Sequence, residues 1–445
     1  MFSSLLAVIG ILSKIVDFGI EPIVFREFSK ENDNFQIFNT ALNLRFLIYF
    51  LLVAVFNFLA PLMPYTSREI IFCNILFTTI IFSMKTVNVR ELLSTPFKVH
   101  LKMHYPMVLS ILDNLLLLVM IFAIPFMKDG TMYFVFVYAV SNIPGFILSF
   151  YYLKRKFGFR YRPTFDRGIW LLKESFPLFG FVLLTTIFVQ IDIIILSFYK
   201  GSFDTGIYSA GTRLTMPLNI IPGAIVTTVF PILIKRISDK AGSESLSNLV
   251  VKFLFFISFI IAAVFTFEAG SLVTLIFGAD YSAAGMPALI LFWCQVFLFF
   301  NYYTLVVLIA QNKQFYNFLY GAIQVVVNLA ANFILIPRYS YTGASVAKLL
   351  ASFVSFLFIL IVVNKSGYRP SIGRYRVLIW AVLICSGLYL LSFMPLILYL
   401  LLAVLLIFAV TIGSGFFNNN ELIVFFRLLN REELGRVFIE KCRLG

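Results

Sequence analysis

The chain has 445 residues, of which 61% are hydrophobic and 13% charged, with a formal charge of +14 and a mean hydropathy of +0.96. Soluble domains carry about 25% charged residues, so the composition excludes an ordinary globular enzyme and describes an all-α polytopic membrane protein. Cys73, Cys294, Cys385 and Cys442 lie far apart; they offer neither metal-ligand spacing nor a disulfide framework and read as small buried hydrophobes.

The first apolar stretch has no basic leader, is interrupted by Lys14 and Asp17, and is followed by no small-residue cleavage site. It predicts a membrane helix ending at a charged turn near Arg26, and not a secretory signal. On a ruler of about 20 apolar residues per span, further spans are expected at 37–60, 69–89, 104–126, 132–153, 175–199, 207–233, 251–277, 285–309, 316–336, 342–363, 375–392 and 394–415, thirteen in all. Alternate loops hold 27 of the 35 Lys and Arg, against four (Arg68, Lys128, Lys200, Arg338) on the other side. The positive-inside rule then places the carboxyl terminus in the cytoplasm and the first residue outside. The positive charge is therefore mostly topological; it faces anionic lipid headgroups and gives no reason to expect nucleic acid.

Loops on the outer side are short, so no external domain is expected. The segment Arg90–Tyr105 mixes Leu92, Leu93, Phe97, Val99 and Leu101 with basic residues and is expected to lie along the membrane surface. The tail 416–445 begins with Asn418–Asn420 as helix caps and reads as an amphipathic interfacial helix. The basic loop divides the chain, giving an amino-terminal lobe at 1–153, a linker at 154–174, a second lobe at 175–363, two additional spans at 364–415, and the tail. Residues 2–30 overlie 208–236, pairing Phe2 with Tyr208, Ser3 with Ser209 and Lys30 with Arg236. That repeat puts Lys14 two helical turns from the counterpart of Arg213, on nearly the same face.

The stretch Gln190–Pro231 holds the densest information. Asp192 and Arg213 stand in apolar surroundings, and Pro217, Pro222 and Gly223 break the second helix. Breaks of this kind persist in a bilayer where neighbouring helices or a water-filled cavity satisfy the freed backbone groups, and intramembrane charges mark transport pathways. One reading is an Asp192–Arg213 pair locking two helices. Lys14, Asp17 and Glu21 read as a self-neutralising cluster or a ligand site. Lys348 and Arg45 are placed to snorkel to the membrane surfaces. Asp113 and Glu268 have no partner in the sequence. Asn301, Asn328, Asn332, Gln295 and Gln324 suit interhelical hydrogen bonds. His100 and His104 lack an accompanying carboxylate, and no phosphate-cradling glycine loop is present, so neither catalysis nor a cofactor is expected.

Three segments carry a family resemblance. DFGIEPIVFREFSK (17–30) resembles the turn after an early helix of Wzx-type polysaccharide flippases. GIYSAGTRLTMPLNIIPGAIVTTVFPILIKR (206–236) is similar to a cavity-wall helix of their second lobe, and YTGASVAKLLASF (341–353) resembles the small-residue start of a later helix. The chain thus resembles the polysaccharide transporter branch of the multidrug/oligosaccharidyl-lipid/polysaccharide exporter superfamily. That resemblance implies two six-helix lobes in a V with two extra helices, and a flippase for undecaprenyl- or dolichyl-pyrophosphate oligosaccharides working by cation-coupled alternating access. It implies a monomer in a prokaryotic plasma membrane, with membrane lipids and glycan polymerases among its partners. In that setting Arg213, Lys348, Lys14 and Arg45 become candidate ligands for the pyrophosphate or an acidic sugar. Asp192, Asp17, Glu268 and Asp113 become coupling or ion-pair candidates. The family's first helix has no counterpart before residue 1, so the chain is expected to be read from an internal Met or to be a natural truncation. A drug exporter of the same fold is the alternative; a membrane-embedded polymerase or ligase is the rival from another class.

Overall fold

The computed structural model describes residues 2–30, 35–62, 66–86, 88–100, 102–226, 229, 240–311, 313, 315–366 and 374–417. Among them helix is the only regular secondary structure. The chain divides into two compact units, Met1–Phe198 and Tyr199–Gly445. The basic stretch 154–174 groups with the first unit, as does the helix that follows it as far as Phe198.

The first unit carries α1 (Phe2–Asp17), α2 (Ile20–Lys30), α3 (Phe35–Leu59), α4 (Ser67–Phe82), α5 (Val89–Val99), α6 (His104–Ile121), α7 (Gly130–Val140), α8 (Ile143–Phe157) and most of α9 (Gly168–Thr215). α1 and α2 form one apolar run bent by 42°. The bend falls at Phe18 and Gly19, whose φ angles are 50° and 65°. Only glycine suits the second position, because a Cβ there would stand 2.8 Å from the backbone nitrogen of Phe179. The Phe18 ring stacks on Phe179 with centroids 4.4 Å apart, which ties the bend to α9.

The bend delivers the two halves of this run to different cores. Leu5, Ile9 and Val16 of α1 pack with Phe56, Phe72, Leu76 and Phe77 of α3 and α4. Ile20, Val24 and Phe28 of α2 pack with Phe38, Leu42, Leu93, Phe97 and Leu153. Between spanning helices such contacts stabilise through close fit and dispersion more than through release of water.

α5 corrects an expectation. Leu92, Leu93 and Phe97 are buried in the second of these cores, and Arg90 is buried too. The helix is therefore an interior element and does not rest on the membrane surface, because its apolar face finds α2, α3 and α8 before it finds lipid. By contrast α6 keeps Met107, Val108, Ile111, Leu115, Leu118 and Val119 exposed, the surface of a helix that faces hydrocarbon.

α8 ends on Lys154, Arg155 and Lys156, cations suited to a helix carboxyl end, and Gly158 closes it in the left-handed region. From there residues 158–165 run without helix or turn. Aromatic and polar residues alternate: Phe159 is buried against Phe35, Phe38 and Phe150, whereas Arg160 and Arg162 are exposed. Side chains of α3 pin this strap. Asn39 Nδ2 donates to the Arg160 carbonyl at 3.4 Å, and Asn43 Nδ2 to those of Arg162 and Thr164 at 3.2 and 2.8 Å. Thr40 Oγ1 donates to the Asp166 carbonyl at 2.9 Å, and the Arg162 N–H donates to Asn39 Oδ1 at 3.1 Å.

The second unit holds the end of α9 beyond Gly201, a 3-10 turn at Met216–Asn219, α10 (Lys240–Phe277), α11 (Gly285–Ala310), α12 (Phe315–Lys365), α13 (Arg374–Leu391) and α14 (Leu396–Gly413). α10, α11 and α12 form its centre around Leu254, Phe299, Tyr303, Tyr320 and Ile359. α13 and α14 dock on α10 through Trp380, Ile384, Tyr399 and Phe416. The Tyr399 hydroxyl donates to the Val264 carbonyl at 2.8 Å, and Lys252 Nζ lies over the rings of Phe416 and Phe417. The remainder of the expected amphipathic tail lies outside the described residues, as does the basic end of the 206–236 stretch.

By length and composition eight of the described helices can cross a bilayer, or nine with the bent α1–α2 pair counted as one span. The expected thirteen are not reached on this measure. Two of the eight are double length, because α9 continues across Gly201 (φ 80°) and α12 across Ser340 (φ 47°). The spans expected at 69–89 and 375–392 are the short helices α4, 16 residues, and α13, 18 residues.

Candidate functional site

The charged residues of the spans resolve into separate groups, and each is built by elements distant in sequence. At the α1–α2 bend Asp17 is buried and accepts from Arg45 Nη2. Arg45 Nη1 donates to the Asn88 carbonyl at 2.6 Å, and Asn88 Nδ2 in turn donates to the Ser13 carbonyl at 2.5 Å. Arg45 is 0% exposed. The expectation that it snorkels to the surface is overturned: its guanidinium turns inward because Asp17 and the Asn88 carbonyl at the head of α5 accept from its two terminal nitrogens there.

Glu21 joins neither Lys14 nor Asp17. It accepts from Lys98 Nζ at 2.7 Å, and Glu91 accepts from the same ammonium. Burial works against the charge on Lys98, yet the hydrogen bonds it donates to Glu21 and Glu91 outweigh that, and the Lys98 pKa is raised. The cluster expected of Lys14, Asp17 and Glu21 is thus dispersed, since α3 and α5 supply closer cations. Lys14 is half-buried and has no ion pair among the described residues.

Asp113, partnerless in the sequence, is paired with Arg90 in the interior of the first unit. Arg90 Nη1 also donates to the carbonyls of Phe82 at 3.2 Å and Asn142 at 3.3 Å. A Cβ on Gly145 would overlap both the Asp113 carboxylate and the Arg90 guanidinium, so α8 can approach this pair only with glycine at that position. In the sequence Arg90 reads as a surface base. Its one local signal was the helical register with Leu93 and Phe97, three and seven residues on.

In the second unit one amide bonds between helices and two bond along α12. Asn301 Nδ2 of α11 and Gln324 Nε2 of α12 donate to the hydroxyl of the buried Tyr320 at 2.9 and 3.0 Å. Asn332 Nδ2 donates to Asn328 Oδ1 at 3.1 Å. Lys348 and Glu268 are both buried, 8% and 5% exposed, so Lys348 does not snorkel. The Lys348 carbonyl is 3.9 Å from Cys294 Sγ.

Asp192 is buried in the first unit, and Arg213 is exposed in the second. Arg213 has no ion pair among the described residues. His100 lies against the Phe157 ring and His104 against Tyr105. No group of metal-binding side chains occurs among the described residues.

Residues 1–237 match the family described as "Polysaccharide biosynthesis protein". A putative O-antigen transporter of Shigella dysenteriae is 30% identical over 116 residues, 26% of this chain and 28% of that protein. The capsular polysaccharide biosynthesis protein CapF of Staphylococcus aureus is 25% identical over 217 residues, 47% and 54% of the two chains. The matches thus span about a quarter and about half of these relatives. Among solved structures, the lipid II flippase MurJ in an inward closed conformation superposes with a TM-score of 0.74 at 17% identity, covering 96% of this chain and 94% of its own. An inward-facing multidrug resistance MATE family transporter gives 0.61 at 14% identity over 82% and 88%. At such identities these likenesses speak to fold alone, and the fold is that of MurJ and the MATE transporters.

Proposed function

Since the chain belongs to the polysaccharide biosynthesis protein family and is a multi-pass membrane protein, we propose that it flips lipid-linked oligosaccharides across the membrane. The observation that carries this reading is the family match over residues 1–237, made within a chain that shares the MurJ fold over 96% of its length. The substrate class is an isoprenoid pyrophosphate bearing a short glycan, and the movement is alternating access without chemistry on the substrate.

Arg213 and Lys14 are the cations best suited to the substrate. Each is at least partly accessible and has no ion pair among the described residues, so an oxyanion would not have to displace a carboxylate first. Arginine suits pyrophosphate because its planar fork binds two oxygens at once. Arg45 and Lys348 are buried and would act from within the helix packing. Asp192 and Glu268 are candidates for cation coupling, and Asp17 and Asp113 serve ion pairs that hold the helices. The setting is the plasma membrane of a prokaryote with the carboxyl terminus in the cytoplasm, the protein working as a monomer beside glycan polymerases.

Proteoliposomes loaded with undecaprenyl-pyrophosphate oligosaccharide test the proposal through the appearance of glycan accessible to an added glycosidase. Absence of protein-dependent exposure with several such lipids would overturn it. Exposure of labelled drug molecules instead would favour the exporter reading.

A further inference from the structure

The strap over α3 shapes a cavity of about 520 Å³, within the broad range of small-molecule sites. Gln36 and Asn39 of α3 form one wall; Arg160, Arg162, Thr164 and Asp166 of the strap form the other. Every second strap residue faces the cavity, the spacing of an extended chain, so two guanidinium groups leave one face roughly 7 Å apart at their Cα atoms. Neither has an ion pair among the described residues.

The one carboxylate in the wall, Asp166, accepts from Gln36 Nε2 at Oδ2, 2.7 Å away, and forms no ion pair with either arginine among the described residues. The Asp166 N–H donates to Thr164 Oγ1 at 3.3 Å, which leaves the hydroxyl hydrogen of Thr164 free to donate to a ligand. The pins between α3 and the strap engage its backbone, at the carbonyls of Arg160, Arg162, Thr164 and Asp166. The arginine side chains are therefore carried on a fixed scaffold without being consumed by it. Two unpaired forks on a fixed backbone, with a hydroxyl donor beside them, match a tetrahedral oxyanion.

We propose that this cavity binds a phosphate-class anion, phosphate or pyrophosphate, carried by a lipid headgroup or free in solution. The proposal does not rest on the flippase reading, since its test measures binding and not transport.

Sodium pyrophosphate titrated calorimetrically into the full chain in uncharged detergent is the probe. Arg160→Gln with Arg162→Gln should weaken binding about tenfold or more. Arg155→Gln with Lys156→Gln removes the same charge from the neighbouring end of α8 and should change it by less than about twofold. Arg160→Lys with Arg162→Lys keeps charge and pins, and should give an intermediate loss because a point charge replaces a fork. The source is read in nanodiscs. If a headgroup is the occupant, phosphatidylglycerol weakens pyrophosphate binding relative to phosphatidylcholine; if a soluble anion is, the two discs agree. No binding by the unaltered chain, or equal losses in the two glutamine pairs, would overturn the proposal.

Discussion

Arg45 of α3 grips Asp17 at the point where the first helix breaks. Both side chains are removed from solvent, and the same arginine holds the head of α5 through the Asn88 carbonyl. One guanidinium thereby fixes three helices around the bend at Phe18 and Gly19.

Removing Arg45 should be costly for that reason. Arg45→Ala leaves a buried carboxylate without its partner, a loss of about 3–5 kcal/mol in comparable buried pairs. The yield of monodisperse protein in detergent should fall sharply, and Asp17→Asn in the same chain should restore part of it. A yield unchanged by Arg45→Ala would refute the structural role.

Gly145→Ala tests the other buried pair. The added methyl group must displace Arg90 or Asp113, and both are held by their surroundings, Arg90 also through the carbonyls of Phe82 and Asn142. Overpacking of this kind costs about 1–3 kcal/mol, so thermal unfolding in detergent should shift down by several degrees. Asp113→Asn should not rescue it, because the obstruction is steric.

Arg213 separates function from structure. It is exposed and without an ion pair among the described residues, so Arg213→Ala should leave abundance near the unaltered level. Under the flippase reading it should nonetheless reduce glycan exposure in proteoliposomes, and Arg213→Lys should recover only part of the rate. Full transport by Arg213→Ala would remove this residue from the substrate path.

Lys98 gives a pH-dependent expectation. Its raised pKa means that the bridge to Glu21 and Glu91 contributes fully below the unfolded lysine value of about 10.4 and is lost as pH rises through the folded one. Lys98→Met should therefore lower the melting temperature at pH 8, and the gap to the unaltered protein should narrow as pH rises above about 10.4. A gap independent of pH would assign the effect to packing alone.

Sidedness can be read directly. In a cysteine-free chain, Ser202→Cys and Lys154→Cys, both at exposed positions, should react with an impermeant maleimide from opposite faces of the membrane. The bias of 27 to 4 in basic residues predicts labelling of Ser202→Cys from outside. Labelling of both from one face would refute the assigned topology.

Composition and apolar run length by themselves determined the class of this protein, because a bilayer admits little besides helices with all backbone groups bonded internally. The kinked stretches and the resemblance at 17–30 and 206–236 were legible for the same local reason. Span limits were less so, since Gly201 and Ser340 turn the chain while helical segments run on either side of them. Charge pairing was decided only in three dimensions. Arg45 reads in sequence as a residue near a helix end, and Arg90 as one base among several in a loop. Each became the partner of a carboxylate, 28 and 23 residues away respectively, when the helices packed. For Arg45 and Arg90 proximity in space chose the partner, and sequence distance carries no information about that. The strap followed the same rule: its basic residues were visible at once, but only the amides of Asn39 and Asn43 on α3 turned a linker into the wall of a cavity.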